Sequence, residues 1–111
     1  MSGYLDWEPK TASEVVVRYA DFTDELNVAG GEHLTSVVVA ATVYSGNDPA
    51  PAAIVSGSQI IDNSAGVESV VAVTLQAGGV GTLYQCVVTG TSSLGQQITK
   101  TAVLAVKPPL V

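Results

Sequence analysis

Short runs of alternating apolar and polar residues, separated by glycine-rich turns, make up most of the 111-residue chain. Such alternation places successive side chains on opposite faces of a strand. No window longer than a few residues shows the i, i+3, i+4 apolar spacing that is typical of a helix. The pattern therefore predicts six or seven strands, at residues 14–19, 34–44, 53–56, 58–62, 68–75, 82–91 and 96–106.

The clearest of these strands is residues 34–44, which is followed by a turn cluster at residues 45–49. The alternation predicts that one face of this strand carries Val37, Val39, Ala41 and Val43 and the other carries Ser36, Val38, Ala40 and Thr42. Residues 49–53 are rich in proline and alanine, and proline cannot donate a hydrogen bond to a neighbouring strand. We therefore expect an extended, edge-like connection there.

The ends of the chain differ in character from the segment between them. Residues 1–13 are mixed and polar and contain Trp7, so they are predicted to form an N-terminal arm. Residues 14–107 are predicted to form one domain, because a chain of this length is close to the commonest domain size. The consecutive prolines Pro108 and Pro109 end the last strand and begin a C-terminal tail at residues 108–111.

Composition and strand spacing together predict an all-β fold. Nineteen Val and ten Thr favour a pleated sheet, and turn signals every eight to twelve residues are typical of a sandwich or barrel. Tyr84 lies near the start of a predicted strand, two residues before Cys86, as in the tyrosine corner of immunoglobulin-like domains. We therefore predict an immunoglobulin-like β-sandwich of about seven antiparallel strands, with Tyr84 as a structural residue. Cys86 is the only cysteine, so no internal disulfide forms, and it is expected to be a small buried apolar residue.

Charge and the length of apolar runs exclude nucleic acid and a membrane-spanning helix. Ten acidic residues against four basic ones give a net charge of −6, and no Lys/Arg cluster is present to bind a phosphate backbone. Nucleic acid is therefore not an expected partner. No apolar run approaches the roughly 18 residues that a membrane-spanning helix needs. The first residues also lack the pattern of a secretory signal, so synthesis in the cytoplasm is expected.

Candidate catalytic and metal-binding residues lack the spacing that their chemistry requires. His33 is the only histidine, has no motif around it and is expected to be a solvated loop residue rather than the partner of Cys86 or a serine. Four acidic residues offer oxygen ligands for Ca²⁺ without the spacing of an EF-hand loop, and an acidic surface or cap is expected instead: Asp21, Asp24, Glu25 and Glu32. The glycines of residues 78–81 precede a strand and predict a turn. We expect no enzyme, no cofactor and no metal site.

Residues 69–99 contain no charged side chain, although they include two or three predicted strands. Weakly charged strands favour pairing with other chains. One interpretation is a covered strand pair with a Thr/Gln outer face. The other is an outer face that is buried in an assembly, since charged residues are depleted at interface cores.

Four segments in a fixed order carry a resemblance to a known family. They are residues 14–26, with Asp-Phe-Thr-Asp-Glu-Leu at 21–26; residues 31–36, Gly-Glu-His-Leu-Thr-Ser; residues 81–84; and the hairpin at 91–96. The chain resembles small immunoglobulin-like virion proteins of tailed bacteriophages, in particular the fibre-tail adaptor family, over residues 9–106. It departs from that family at residues 48–53.

The resemblance implies a non-enzymatic structural protein in the tail region of a virion. It implies several copies in a symmetric assembly, with tail or connector subunits and tail fibres as partners. A head decoration or neck protein is the alternative of the same class, and a cell-surface or carbohydrate-binding module is an alternative of another class. Tyr4, Leu5 and Trp7 are predicted to contact a neighbouring subunit, because Trp and Tyr are common interface anchors. The alternative is an arm folded back onto its own domain.

Overall fold

The computed structural model describes residues 4–108, most of which lie in eight β-strands. Strands β1 to β8 span, in order, Tyr4–Leu5, Lys10–Thr11, Val16–Asp21, Leu34–Ser45, Val55–Asp62, Glu68–Leu75, Leu83–Ser92 and Gln97–Lys107. Short 3-10 turns are found at Thr23–Glu25, Val28–Gly30 and Pro51–Ile54. Of the predicted C-terminal tail only Pro108 is described; residues 1–3 and 109–111 lie outside the described range.

The strands form two sheets that pack as a sandwich. In the larger sheet β7 lies between β4 and β8, and β1 and β2 pair with the other side of β8. The smaller sheet has the order β3-β6-β5. All pairs are antiparallel except those of β1 and β2 with β8. The prediction of an all-β sandwich without a disulfide is therefore confirmed. The strand order is that of an immunoglobulin-like domain whose first strand runs beside its last.

The alternation of the sequence determines which side chains form the core. In β7 every second residue from Tyr84 to Ser92 is buried, while the residues between them are partly exposed. In β4, Val37, Val39 and Val43 pack on the core and Ala41 belongs to it, as the alternation predicts. The smaller sheet contributes Ala20, Val71, Val73 and Leu75 from its inner face. The strands form because two such one-sided apolar surfaces are buried only by facing each other.

The segment after β4 differs from its prediction. Residues 51–54 are a 3-10 turn and not an extended connection, because Pro51 occupies the first position of the turn, where its missing N–H is no loss. Residues 55–62 are one strand and not two. Gly57 lies at an irregularity in the pairing with β6, which takes up the extra residue without ending the strand.

The N-terminal arm is part of the larger sheet. β1 and β2 run parallel to β8 along its free side. Between them the side chain of Trp7 enters the core, and its indole N–H donates a hydrogen bond to the carbonyl oxygen of Tyr19 at 3.0 Å. The guanidinium of Arg18 donates to the carbonyl oxygens of Glu8 and Pro9, both at 3.3 Å. These contacts connect the arm to β3 in the opposite sheet.

Candidate interaction surface

The outer surface of the larger sheet carries no charged side chain on β4 or β7, and on β8 none before Lys107. The register of the three strands places the following residues on that surface: Ser36, Val38, Ala40, Thr42 and Tyr44; Leu83, Gln85, Val87, Thr89 and Thr91; Gln97, Thr99, Thr101, Val103 and Ala105. We call this set the uncharged face. Its β7 and β8 residues up to Thr99 come from the charge-free segment of the sequence.

The uncharged face is exposed most strongly along β4. The side chain of Val38 is 67% exposed and that of Tyr44 is 63% exposed, whereas the outward residues of β7 are partly covered by their neighbours. Across the sheet Ala40 pairs with Val87, which pairs with Thr101. The uncharged face is therefore a continuous array of small, apolar and hydroxyl side chains. Such a composition is typical of surfaces that contact another protein.

The outer surface of the smaller sheet is apolar at one end and acidic at the other. Val17 and Tyr19 are exposed on β3, beside a shallow depression that includes Gly57 on β5. Asp21 ends β3, and Asp62 pairs with Glu68 at the same end of the sheet. The acidic side chains of the described residues thus lie at this end, in the loops and along the arm.

Glu32 was expected on an acidic surface or in a cap, but its side chain is buried and only 1% exposed. Its carboxylate accepts hydrogen bonds from the backbone N–H of Asn27 at 2.7 Å, the hydroxyl of Ser92 at 2.5 Å and the amide of Gln96 at 2.7 Å. These bonds, that of Asn27 above all, hold the pKa of Glu32 below its ordinary value. Glu32 therefore joins the loop before β4 to the β7–β8 hairpin.

Two of the other candidate calcium ligands, Asp21 and Glu25, also have partners within the chain. The carboxylate of Asp21 accepts hydrogen bonds from the backbone N–H and the hydroxyl of Thr23, at 2.9 and 2.6 Å. Glu25 forms an ion pair with Lys100 at 2.8 Å. Within residues 4–108 no three His, Cys, Asp or Glu side chains are grouped in a way that could hold a metal ion.

Tyr84 is buried and connects two loops at the opposite end of the sandwich. Its hydroxyl donates a hydrogen bond to Asp48 at 2.5 Å and accepts one from the backbone N–H of Gly79 at 2.6 Å. The bond to Gly79, five residues upstream, is the tyrosine-corner geometry. The hydrogen bond from Tyr84 is the largest cause that lowers the pKa of Asp48, while burial raises the pKa of Tyr84.

Cys86 and His33 do not meet. Cys86 is fully buried in the middle of β7, and burial raises the pKa of its thiol to about 11, so it carries no nucleophilic thiolate at neutral pH. His33 lies beside Ser93 at the end of the sheet, where the two residues exchange backbone and side-chain hydrogen bonds. Cys86 and Ser92 are six residue steps apart on β7, which corresponds to roughly 20 Å.

The predicted subunit contacts of the arm lie in different environments. Trp7 is 8% exposed and belongs to the core, so a contact through its ring requires the arm to leave the sheet. Leu5 is partly buried against the same core. Tyr4 pairs with Thr101 through its backbone, and its side chain lies outside the described part of the structure.

One buried charge has no signal in the sequence. Lys10, on β2 of the arm, is buried, and its ammonium donates hydrogen bonds to the carbonyl oxygens of Thr11 at 2.7 Å and Ala77 at 2.5 Å. Burial lowers its pKa. The partner oxygen of Ala77 is 67 residues away along the chain, so no local pattern could identify this contact.

The chain was compared with family models, curated proteins and solved structures. No family model, no curated protein and no solved structure matches it. Among residues 4–108, no helix has the length and apolarity that crossing a membrane requires.

Proposed function

We propose that the chain is a non-enzymatic structural protein of a tailed-bacteriophage virion, in which it serves as an adaptor that attaches tail fibres to the tail or connector. Several copies occupy equivalent positions in a symmetric assembly in the tail region, after synthesis in the host cytoplasm. The proposal rests on the resemblance of residues 14–26, 31–36, 81–84 and 91–96 to that family. The sandwich fold is the one that this resemblance implies.

The observation that supports an assembly role most strongly is the uncharged face. A net charge of −6 helps to keep a chain soluble and monomeric, because like charges on the surfaces of two copies repel each other. Yet the uncharged face carries none, and Val38 and Tyr44 are exposed on it. Charge depletion together with exposed apolar groups is typical of the core of a protein interface.

The internal hydrogen bonds support a rigid module. Glu32 fixes the loops at one end of the sandwich, and Tyr84 fixes those at the other. A rigid module offers its faces for docking without a cost of ordering, which favours repeated use in an assembly.

The test of the adaptor role uses the phage that encodes the chain. The gene is deleted and supplied from a plasmid, and purified particles are examined by mass spectrometry and electron microscopy. We expect the chain in wild-type particles, and particles without tail fibres when the plasmid is absent. Complementation with the wild-type gene is the control and should restore the fibres.

Three results contradict the proposal. A virion protein is present in purified particles, so the absence of the chain from them excludes that role. Deletion particles that keep their fibres exclude the adaptor role. Antibody labelling of the capsid instead of the tail assigns the chain to head decoration.

A further inference from the structure

Strand β4 forms one edge of the larger sheet and is unpaired on its outer side. It is 12 residues long, and in the described chain only β7 pairs with it. β5 is the adjacent edge strand of the smaller sheet and pairs only with β6. In an antiparallel pair every second residue directs its N–H and C=O away from the partner. Alternate backbone groups of β4 are therefore free to bind another strand.

The other edges of the two sheets are protected. The opposite edge of the larger sheet consists of the two-residue strands β1 and β2, separated by Asp6, Glu8 and Pro9. The arm lies beside β3, where the guanidinium of Arg18 donates hydrogen bonds to the carbonyl oxygens of Glu8 and Pro9. β5 has irregularities near both ends and finishes in Asp62. Short strands, charges, proline and coverage are the devices by which sheets avoid edge pairing.

Between its own two irregularities β4 is long and lacks the charges and the proline that protect the other edges. The regular stretch is Ser36–Val43, and the whole strand contains no charged residue and no proline. Its outward side chains are exposed, that of Val38 by 67%. A long, regular, uncharged edge of β-branched and small residues is a ready template for strand addition.

We propose that the free edge of β4 binds β4 of a second copy of this chain, antiparallel, so that the two larger sheets become one continuous sheet. The inference rests on the assembly role proposed above and names one partner in it. A second copy fits because β4 is uncharged throughout, so no alignment of two copies opposes like charges. The net charge of −6 disfavours contact between copies through their acidic surfaces.

The alternation of β4 restricts the alignment. Residues directly opposite each other in a strand pair point to the same face of the sheet. The two-fold axis must therefore lie where one residue of β4 is opposite the same residue of the other copy. We assign that position to Ala40, the small outward residue at the middle of the strand. Val38 of one copy then lies opposite Thr42 of the other, and Ser36 lies opposite Tyr44. The uncharged faces of both copies lie on the same side of the joined sheet.

The first test places like charges across the proposed pair. Val38→Lys combined with Thr42→Lys sets lysine opposite lysine at both positions, which destabilises a strand pair. The matched control, Thr99→Lys with Val103→Lys, adds the same charge at the same spacing to β8 on the same face. Sedimentation should show a dimer for the wild type and the control and at least a tenfold weaker dimer for the β4 variant. Urea unfolding verifies that all three are folded.

Two outcomes overturn the inference. A wild-type chain that stays monomeric at every accessible concentration excludes the edge contact. Equal loss of the dimer in both lysine variants assigns the contact to the packing of two faces and not to the edge.

The second test measures the alignment. Ala40→Cys places two thiols opposite each other with Cβ atoms roughly 5 Å apart, within reach of a short bis-maleimide. Covalent dimer is expected for this variant and not for Val38→Cys or Val103→Cys; equal yields for all three contradict the assignment. Cys86 is fully buried and does not contribute. These measurements use the isolated chain and so are independent of the test of the adaptor role. If the chain dimerises but is absent from virions, only the adaptor role is refuted. If the chain is found in virions but is monomeric in isolation, only the edge contact is refuted.

Discussion

Single polar groups connect loops that are far apart in the sequence. The hydroxyl of Tyr84 bridges Asp48 and Gly79, and the carboxylate of Glu32 bridges Asn27, Ser92 and Gln96. Each stands at one end of the sandwich. Because a buried polar group without a partner costs free energy, the loss of either group is expected to weaken the whole domain and not one loop alone.

We predict that Tyr84→Phe lowers the free energy of unfolding by about 2 kcal/mol, because the N–H of Gly79 and the carboxylate of Asp48 lose their buried hydroxyl partner. Urea unfolding at neutral pH measures the change. Tyr44→Phe is the matched control, since that side chain is 63% exposed and should leave stability unchanged. Equal stability of the two variants contradicts the structural role of the Tyr84 hydroxyl.

We predict that Glu32 contributes to the loss of stability in acid. Its pKa in the folded chain lies below the ordinary 4.5, so its stabilising effect is present above that pH and is lost as the pH falls through the folded value. Glu32→Gln should be less stable than the wild type at pH 7 and lose less stability between about pH 5 and pH 3. Urea midpoints across that range measure both. A variant that keeps the full acid slope of the wild type shows that other carboxylates account for it.

At the scale of elements, the arm completes the sandwich by closing the side between β8 and β3. The contacts of Trp7 with the core and with the carbonyl oxygen of Tyr19 do this across the two sheets. Burial of a large aromatic ring is among the strongest single contributions to a small core. The arm is therefore expected to unfold together with the domain.

Accordingly, Trp7→Ala should lower the free energy of unfolding by about 3 kcal/mol, through lost apolar burial and the cavity that remains. Denaturant unfolding monitored by circular dichroism checks this value. Leu94→Ala, at an exposed position of the β7–β8 hairpin, is the control and should have little effect. If the two variants are equally stable, the arm is not part of the cooperative unit.

The alternation of apolar and polar residues was enough to predict most of the strands. The burial of individual polar residues depends instead on partners that are distant in the sequence. The strands at 34–45, 68–75 and 83–92 follow their predicted bounds closely, because one-sided burial leaves a period of two in the sequence. The burial of Glu32 depends on Ser92 and Gln96, which are 60 and 64 residues away. No local pattern distinguishes such a residue from an exposed glutamate.

The sequence predicts only part of the uncharged face. The absence of charge from residues 69–99 is visible in the sequence, but β4 joins the same face only through its register with β7. The docking of the arm was left open for the same reason. Its pairing with β8 brings together residues about a hundred positions apart.

At the scale of the whole molecule, charge and apolar surface are separated. Acidic groups occupy the arm, the loops and one end of the smaller sheet, whereas the uncharged face covers the larger sheet. This separation is the basis for proposing an assembly protein. It implies that charge added to the uncharged face should disturb assembly more than the same charge added elsewhere, while folding is unaffected.

The most direct test of that claim measures how much of each variant is incorporated into particles in the complemented deletion strain. Val87→Lys with Val103→Lys adds two charges to the uncharged face, and Gln59→Lys with Thr74→Lys adds two to the outer surface of the smaller sheet. With both variants folded, we predict that the first is lost from purified particles and the second is retained at the wild-type level. Wild-type incorporation of the first variant would contradict the account.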